Sequence, residues 1–248
     1  MKLTKILTEG MYDSLVRQIT NDTFKLLNKM IDAGLDDKKY NGKQVKENPP
    51  EKTPFPLWIK RDVKAVDVGD YNDKVSGINT TITLKYKMSD NVKRGEFYID
   101  ALAEDGQSGL WSEIELHLIT NPEDERRILS KVRPYIREAV RHEIEHLTQR
   151  GDNLKASKFI RNNKKMRERI RNNPEIGYKY LILKDEIDAN IHGLFARAKT
   201  TDQTYQEVVD DYLDSFVKQG DITEKQRNLV YRTWKKRIPK IHGIPNLK

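Results

Sequence analysis

The chain has 248 residues, with 46 Lys and Arg against 38 Asp and Glu, a formal charge of +8. Hydrophobic residues make up 36% and charged residues 34%, with a mean hydropathy of −0.81; that is polar, but it leaves enough Leu, Ile, Val and aromatic side chains for a core and excludes wholesale disorder. Cysteine is absent, which excludes disulfides, thiolate zinc sites, cysteine-ligated iron-sulfur clusters and a cysteine nucleophile, and leaves any metal to His, Asp and Glu.

The opening Met1-Lys-Leu-Thr-Lys-Ile-Leu-Thr-Glu9 breaks before a signal-peptide apolar core forms, and no later run approaches the roughly 20 apolar residues that span a bilayer. A cytoplasmic protein with no membrane partner is expected. Tyr12, Leu15, Ile19, Thr23, Leu26 or Leu27, and Met30 or Ile31 recur at helical spacing and stop before Gly34, so residues 1–35 predict an amphipathic N-terminal helix. Residues 36–60 are rich in Lys, Asn and Pro, with Pro49, Pro50, Pro54 and Pro56, and read as a polar surface connection.

Strand-like alternation follows. Ile82, Leu84, Tyr86 and Met88 alternate with Thr81, Thr83, Lys85 and Lys87; Phe97, Ile99 and Ala101 form a second set; Ile114, Leu116 and Leu118 alternate with Glu113, Glu115 and His117; and Val63 to Val68 adds a fourth candidate. One buried and one wet face suits a small antiparallel sheet of three or four strands, with His117 on the wet side and inert.

After Ile119 the texture turns helical. Asn121 can cap, Pro122 fits a first helical position, and Glu123, Asp124 and Glu125 suit the positive end of a helix dipole. A long helix to about Gln149 is expected, kinked or split by Pro134. Lys155, Lys158, Arg161, Lys164, Lys165, Arg167, Arg169 and Arg171 then face a single acid, Glu168. A solvated helix explains this stretch as well as a polyanion site does, and no nucleic-acid motif accompanies it, so nucleic acid ranks below a peptide or protein as partner. Further helices are predicted around Leu183 to Ala198, from Tyr205 to Val217 ending at Gly220, and after the Thr223-x-x-Gln226 capping pattern. The fold class is α+β.

Within the long helix stands His142-Glu143-Ile144-Glu145-His146. Positions i and i+4 share one helical face, so both imidazoles can converge on one metal ion while Glu143 lies beside them to hold and deprotonate a water. Val132, Ile136, Val140, Ile144 and Leu147 line a side away from the histidines, so the helix can rest on a core and present them to a cleft. Glu145 is a charge where the motif usually carries none, and Arg141, four residues earlier, can pair with it.

Two histidines do not complete a metal site. Gln149 and Asp152 stand where the HxxGxxH continuation would place Gly and a third His; Asp152 can itself ligate, but an acid from a later helix is the better prospect. Glu186 leads, because the small Ala189 three residues on lets its helix pack closely against another, with Asp185 and Asp188 as rivals.

His142-Glu143-x-x-His146 followed by Glu186-x-x-Ala189-Asn190 resembles the zincin metallopeptidases of the gluzincin type. The resemblance implies a zincin-like core over 61–198, a helical C-terminal extension over 199–248, and Zn2+ held by His142, His146 and Glu186. It implies Glu143 as general base in peptide-bond hydrolysis, and a substrate peptide lying along an edge strand, the place that Glu113 to Ile119 would occupy. Tyr178, Tyr180 and His192 are candidates for stabilising an oxyanion. Nickel, cobalt or iron can take the same ligands. More loosely, the lysine-rich opening Met1 to Tyr12 is similar to the starts of proteins encoded by large tailed bacteriophages. That resemblance implies the alternative of a virion structural or assembly protein, partnered by other virion proteins, that keeps the scaffold with little or no proteolysis.

Overall fold

A computed structural model of the protein describes residues 8–32, 64–73, 78–105, 112–150, 165–170, 173–241 and 243–248. The whole of the expected connection at 36–60, Asp152 and the basic residues Lys155, Lys158, Arg161, Lys164 and Arg171 lie outside the described residues. The chain divides into two compact units, one of residues 1–47 and 61–147, the other of 48–60 and 148–248.

In the first unit, α1 (Thr8–Asp32) buries the stripe that its spacing predicts: Leu15, Val16, Ile19, Leu27 and Met30 are at most 3% exposed, and Thr23 is fully buried among them. Four strands follow, β1 (Lys64–Asp73), β2 (Ile78–Met88), β3 (Phe97–Asp105) and β4 (Ser112–Thr120), in the spatial order β1-β2-β4-β3. The alternation sets the register: Ile82 lies beside Ile114, Leu84 beside Leu116 and Tyr86 beside Leu118, all six buried in one core with α1. Gly69, with φ 143°, takes up the bulge at which β1 slips against β2.

The expected antiparallel sheet is corrected to a mixed one. β1 and β2 are antiparallel, and so are β3 and β4, but β2 and β4 run parallel. Alternating burial reports which face of a strand is dry, not the direction of its neighbour. Because β3 folds back on the outer side of β4, β4 is left to run alongside β2 in the same sense.

Helix α2 (Glu125–Arg150) starts later than the Asn121-Pro122 pattern predicts. Asn121 instead organises a turn: its Oδ1 accepts from the Glu123 N–H at 2.9 Å and its Nδ2 donates to the Val92 carbonyl at 2.7 Å. The Asp124 carbonyl then accepts the first helical bond, from the Ile128 N–H at 3.0 Å. Pro134 does not split the helix. The carbonyl left without its N–H partner belongs to exposed Ser130, where water can satisfy it. Ile128, Val132, Ile136, Val140 and Ile144 are at most 2% exposed and seat α2 on the core of the sheet.

The second unit is helical in its described residues. Residues 165–170 form helix, a 3-10 segment covers Pro174–Ile182, and α3 (Lys184–Ala198), α4 (Tyr205–Gln219) and α5 (Glu224–Arg237) follow. Both α4 and α5 open with a full capping box, Thr204 with Glu207 and Thr223 with Gln226, and Gly220 closes α4 in the left-handed conformation at φ 80°. Trp234 is wholly buried at the centre, stacked on Tyr212, with its indole N–H donating to the Leu181 carbonyl at 2.8 Å. No helix among the described residues is long and apolar enough to cross a membrane.

Candidate metal centre

The i, i+4 spacing on α2 does what the motif requires. The Nε2 atoms of His142 and His146 face each other at 3.1 Å, with the ring planes 75° apart. A tetrahedral metal bound at about 2.0–2.1 Å by each of two imidazoles sets their nitrogens about 3.3 Å apart, so the pair fits one ion with little rearrangement. Glu143 adds a carboxylate, with Oε1 3.8 Å from His142 Nε2. His142, Glu143 and His146 together form a group that can hold a metal ion. His146 and Glu143 are buried at 8% and 6% exposure, so these ligand atoms are shielded from bulk water.

The other carboxylate oxygen of Glu143 is fixed by a group that sequence reasoning missed. The backbone N–H of Ala103, on β3, donates to Oε2 at 2.9 Å. Ala103 lies opposite Ile114 in the ladder, so an amide that goes to Glu143 points away from β4, toward the open side of the sheet. Strand parity gives Ala101 the same outward amide, and its N–H is taken by the Asp100 side chain at 2.9 Å. Residue type carries no signal for such a contact, since every residue except proline has the same N–H.

Here the expectation that Glu113 to Ile119 forms a sheet edge fails. β4 is internal, flanked by β2 and β3, and the edge beside Glu143 is β3. The sequence order of strands does not disclose which is outermost once one folds back between neighbours.

Glu145, the charge that departs from the motif, accepts from Arg141 Nη1 at 2.9 Å, as the spacing predicts. The guanidinium also lies over the Tyr12 ring, 5.4 Å from its centroid, which ties α2 to α1. His117 stands on the sheet face opposite the core and bonds Glu115 Oε2 at 3.2 Å. That bond and the Lys85 ammonium 2.8 Å from the same oxygen hold the Glu115 carboxyl at about 2, against the opposing effect of its partial burial.

Glu186 and its rivals belong to the second unit. Glu186 opens α3, fully buried, and its Oε1 is bonded by Arg167 Nη2, which also reaches Asp185 Oδ2 at 2.9 Å. Arg167 lies over the Tyr180 ring at 5.1 Å and donates to its hydroxyl at 3.3 Å, so Tyr180 braces the guanidinium that holds the two acids. The basic stretch is therefore not uniformly solvated. Asp188 is engaged elsewhere, by Arg237 through two bonds at 2.7 and 2.5 Å. Tyr178 is half-buried against the core of this unit, and His192 is half-buried on α3.

The chain matches no family model, no curated protein and no solved structure.

Proposed function

We propose that the chain is a zinc-dependent metallopeptidase, with Zn2+ held by His142, His146 and Glu186 and Glu143 as general base. The observation that carries the reading is the pair of imidazole nitrogens 3.1 Å apart with the Glu143 carboxylate beside them. Zinc, if held there, would supply Lewis acidity of the kind that lowers the pKa of a water toward about 7 and polarises a peptide carbonyl. Glu143 takes the proton from that water and later passes it to the leaving amine. The Ala103 amide fixes one oxygen of Glu143 and leaves Oε1 on the side of the histidines.

Glu186 enters as third ligand on its resemblance to the gluzincin pattern. Its support within its own unit is Arg167, which fixes the carboxylate as hydrogen-bonded neighbours orient ligands in metal sites generally. An extended peptide would lie along the edge of β3, pairing with outward backbone groups other than the Ala101 and Ala103 amides, which Asp100 and Glu143 take.

The test is Glu143→Gln. The variant should retain its zinc and cleave an unfolded protein such as casein on the order of 10²–10⁴-fold more slowly than wild type. Full zinc with undiminished cleavage would overturn the base assignment, and zinc-replete wild type without any cleavage would overturn the peptidase reading.

A further inference from the structure

The positive charge of the molecule is not spread evenly. The first unit carries 22 Lys and Arg against 24 Asp and Glu, the second 24 against 14, so the whole net charge of +8 originates in the second. In its described part the charge has a definite geometry on α5. At 100° per residue, Lys225, Arg232, Lys235 and Lys236 fall within an arc of about 120°, and Trp234 points the opposite way, into the core. All four are exposed, as is Lys240 in the 3-10 segment that continues the helix.

Among the described residues, none of these five cations has an acidic partner. The flanking arginines of the same helix are both neutralised: Arg227 by Asp210 and Asp214 at 2.6 and 2.9 Å, and Arg237 by Asp188 at 2.5 Å. The only acid on α5 is Glu224 in its first turn. Cations in a last turn complement the helix dipole, which accounts for Lys235 and Lys236 but not for Lys225 or Arg232, which precede it.

We infer that this face of α5 binds the phosphodiester backbone of a nucleic acid duplex without reading its sequence. From Lys225 to Lys236 the row is about 16 Å long, and a duplex strand presents on the order of five phosphates over that length. A membrane surface is disfavoured because the apolar side of the helix, Val230 and Trp234, is committed to the core and cannot insert. An acidic protein is disfavoured because protein interfaces are anchored by buried aromatic groups and depleted of lysine, whereas this row holds mostly lysine, with Leu229 its one exposed apolar side chain.

The full chain, titrated into fluorescein-labelled mixed-sequence DNA and RNA duplexes and followed by anisotropy, should bind at 50 mM salt with log K falling against log salt at a slope of about −4. Lys235→Glu/Lys236→Glu should weaken binding at least tenfold and flatten the slope by about 2. Both positions are exposed, but the two acids would face the negative end of the helix dipole, so the thermal midpoint should fall by only a few degrees with the chain still folded, and Lys218→Glu, a charge reversal on α4, should bind as wild type does. Tighter binding of DNA or of RNA identifies which duplex is the source of the phosphates. The inference is overturned by absence of binding at 50 mM salt, by undiminished binding of the double variant, or by equal affinity for a polyglutamate peptide of matched charge.

Discussion

Arg141 shows how one residue can make an unusual motif workable. It neutralises Glu145 at 2.9 Å and covers Tyr12, and its side chain is only 5% exposed. Arg141→Ala should therefore cost about 1–3 kcal/mol in urea unfolding, because a half-buried carboxylate loses its partner, while metal content stays at the wild-type level. Loss of metal without loss of stability would make Arg141 part of the metal site instead. Glu115 predicts a pH effect of known sign. Its folded value of about 2 lies below the ordinary 4.5, so its contribution to stability is complete above pH 4.5 and is lost as pH falls from 4.5 toward 2. Between pH 6 and pH 3 the urea midpoint of Glu115→Gln should accordingly fall less than that of wild type. At this scale the sequence was informative where chemistry lies in side chains at fixed spacing, as in His142, His146 and the Arg141–Glu145 pair. It was silent on the Ala103 amide, because a backbone donor has no residue signature, and on Arg167, which looks like its basic neighbours until its partners are seen.

Helix α2 links chemistry to the core. The face formed by Val132, Ile136, Val140 and Ile144 is fully buried, while His142 and His146, two residues before and after Ile144, turn away from it. Ile144→Ala removes a fully buried side chain from between the two ligands and should cost about 2–5 kcal/mol. If the urea midpoint does not move, α2 is not seated as described. In the second unit, Thr204→Ala removes half of the capping box of α4 and should cost about 1 kcal/mol, since the Glu207 N–H loses its side-chain acceptor. Helices were legible because a 3.6-residue period and caps are local signals. Strand positions were legible for the same reason, whereas the parallel β2–β4 pairing and the edge position of β3 depend on how distant segments close, which no local period encodes. Pro134 was read on local grounds as kinking or splitting the helix; the helix is not split, and the carbonyl that Pro134 leaves without an N–H belongs to exposed Ser130.

At the scale of the whole molecule, a mildly acidic unit carrying the HExxH helix is joined in one chain to a strongly basic helical unit. A metal that binds the folded chain and not the unfolded one stabilises it by about 2.7 kcal/mol at one hundred times its dissociation constant, so chelation should lower the thermal midpoint of wild type and leave that of His146→Ala unchanged. The central claim is that α2 builds a metal site, and metal content measured by mass spectrometry on protein purified without a metal-affinity tag tests it most directly, comparing wild type with His146→Ala and Glu186→Ala. The account predicts about one zinc per chain in wild type and none in either variant. Zinc lost only with His146→Ala would keep the site and move the third ligand to Asp185, Asp188 or Asp152. A wild-type protein that holds no metal, even after zinc is added back, would contradict the account.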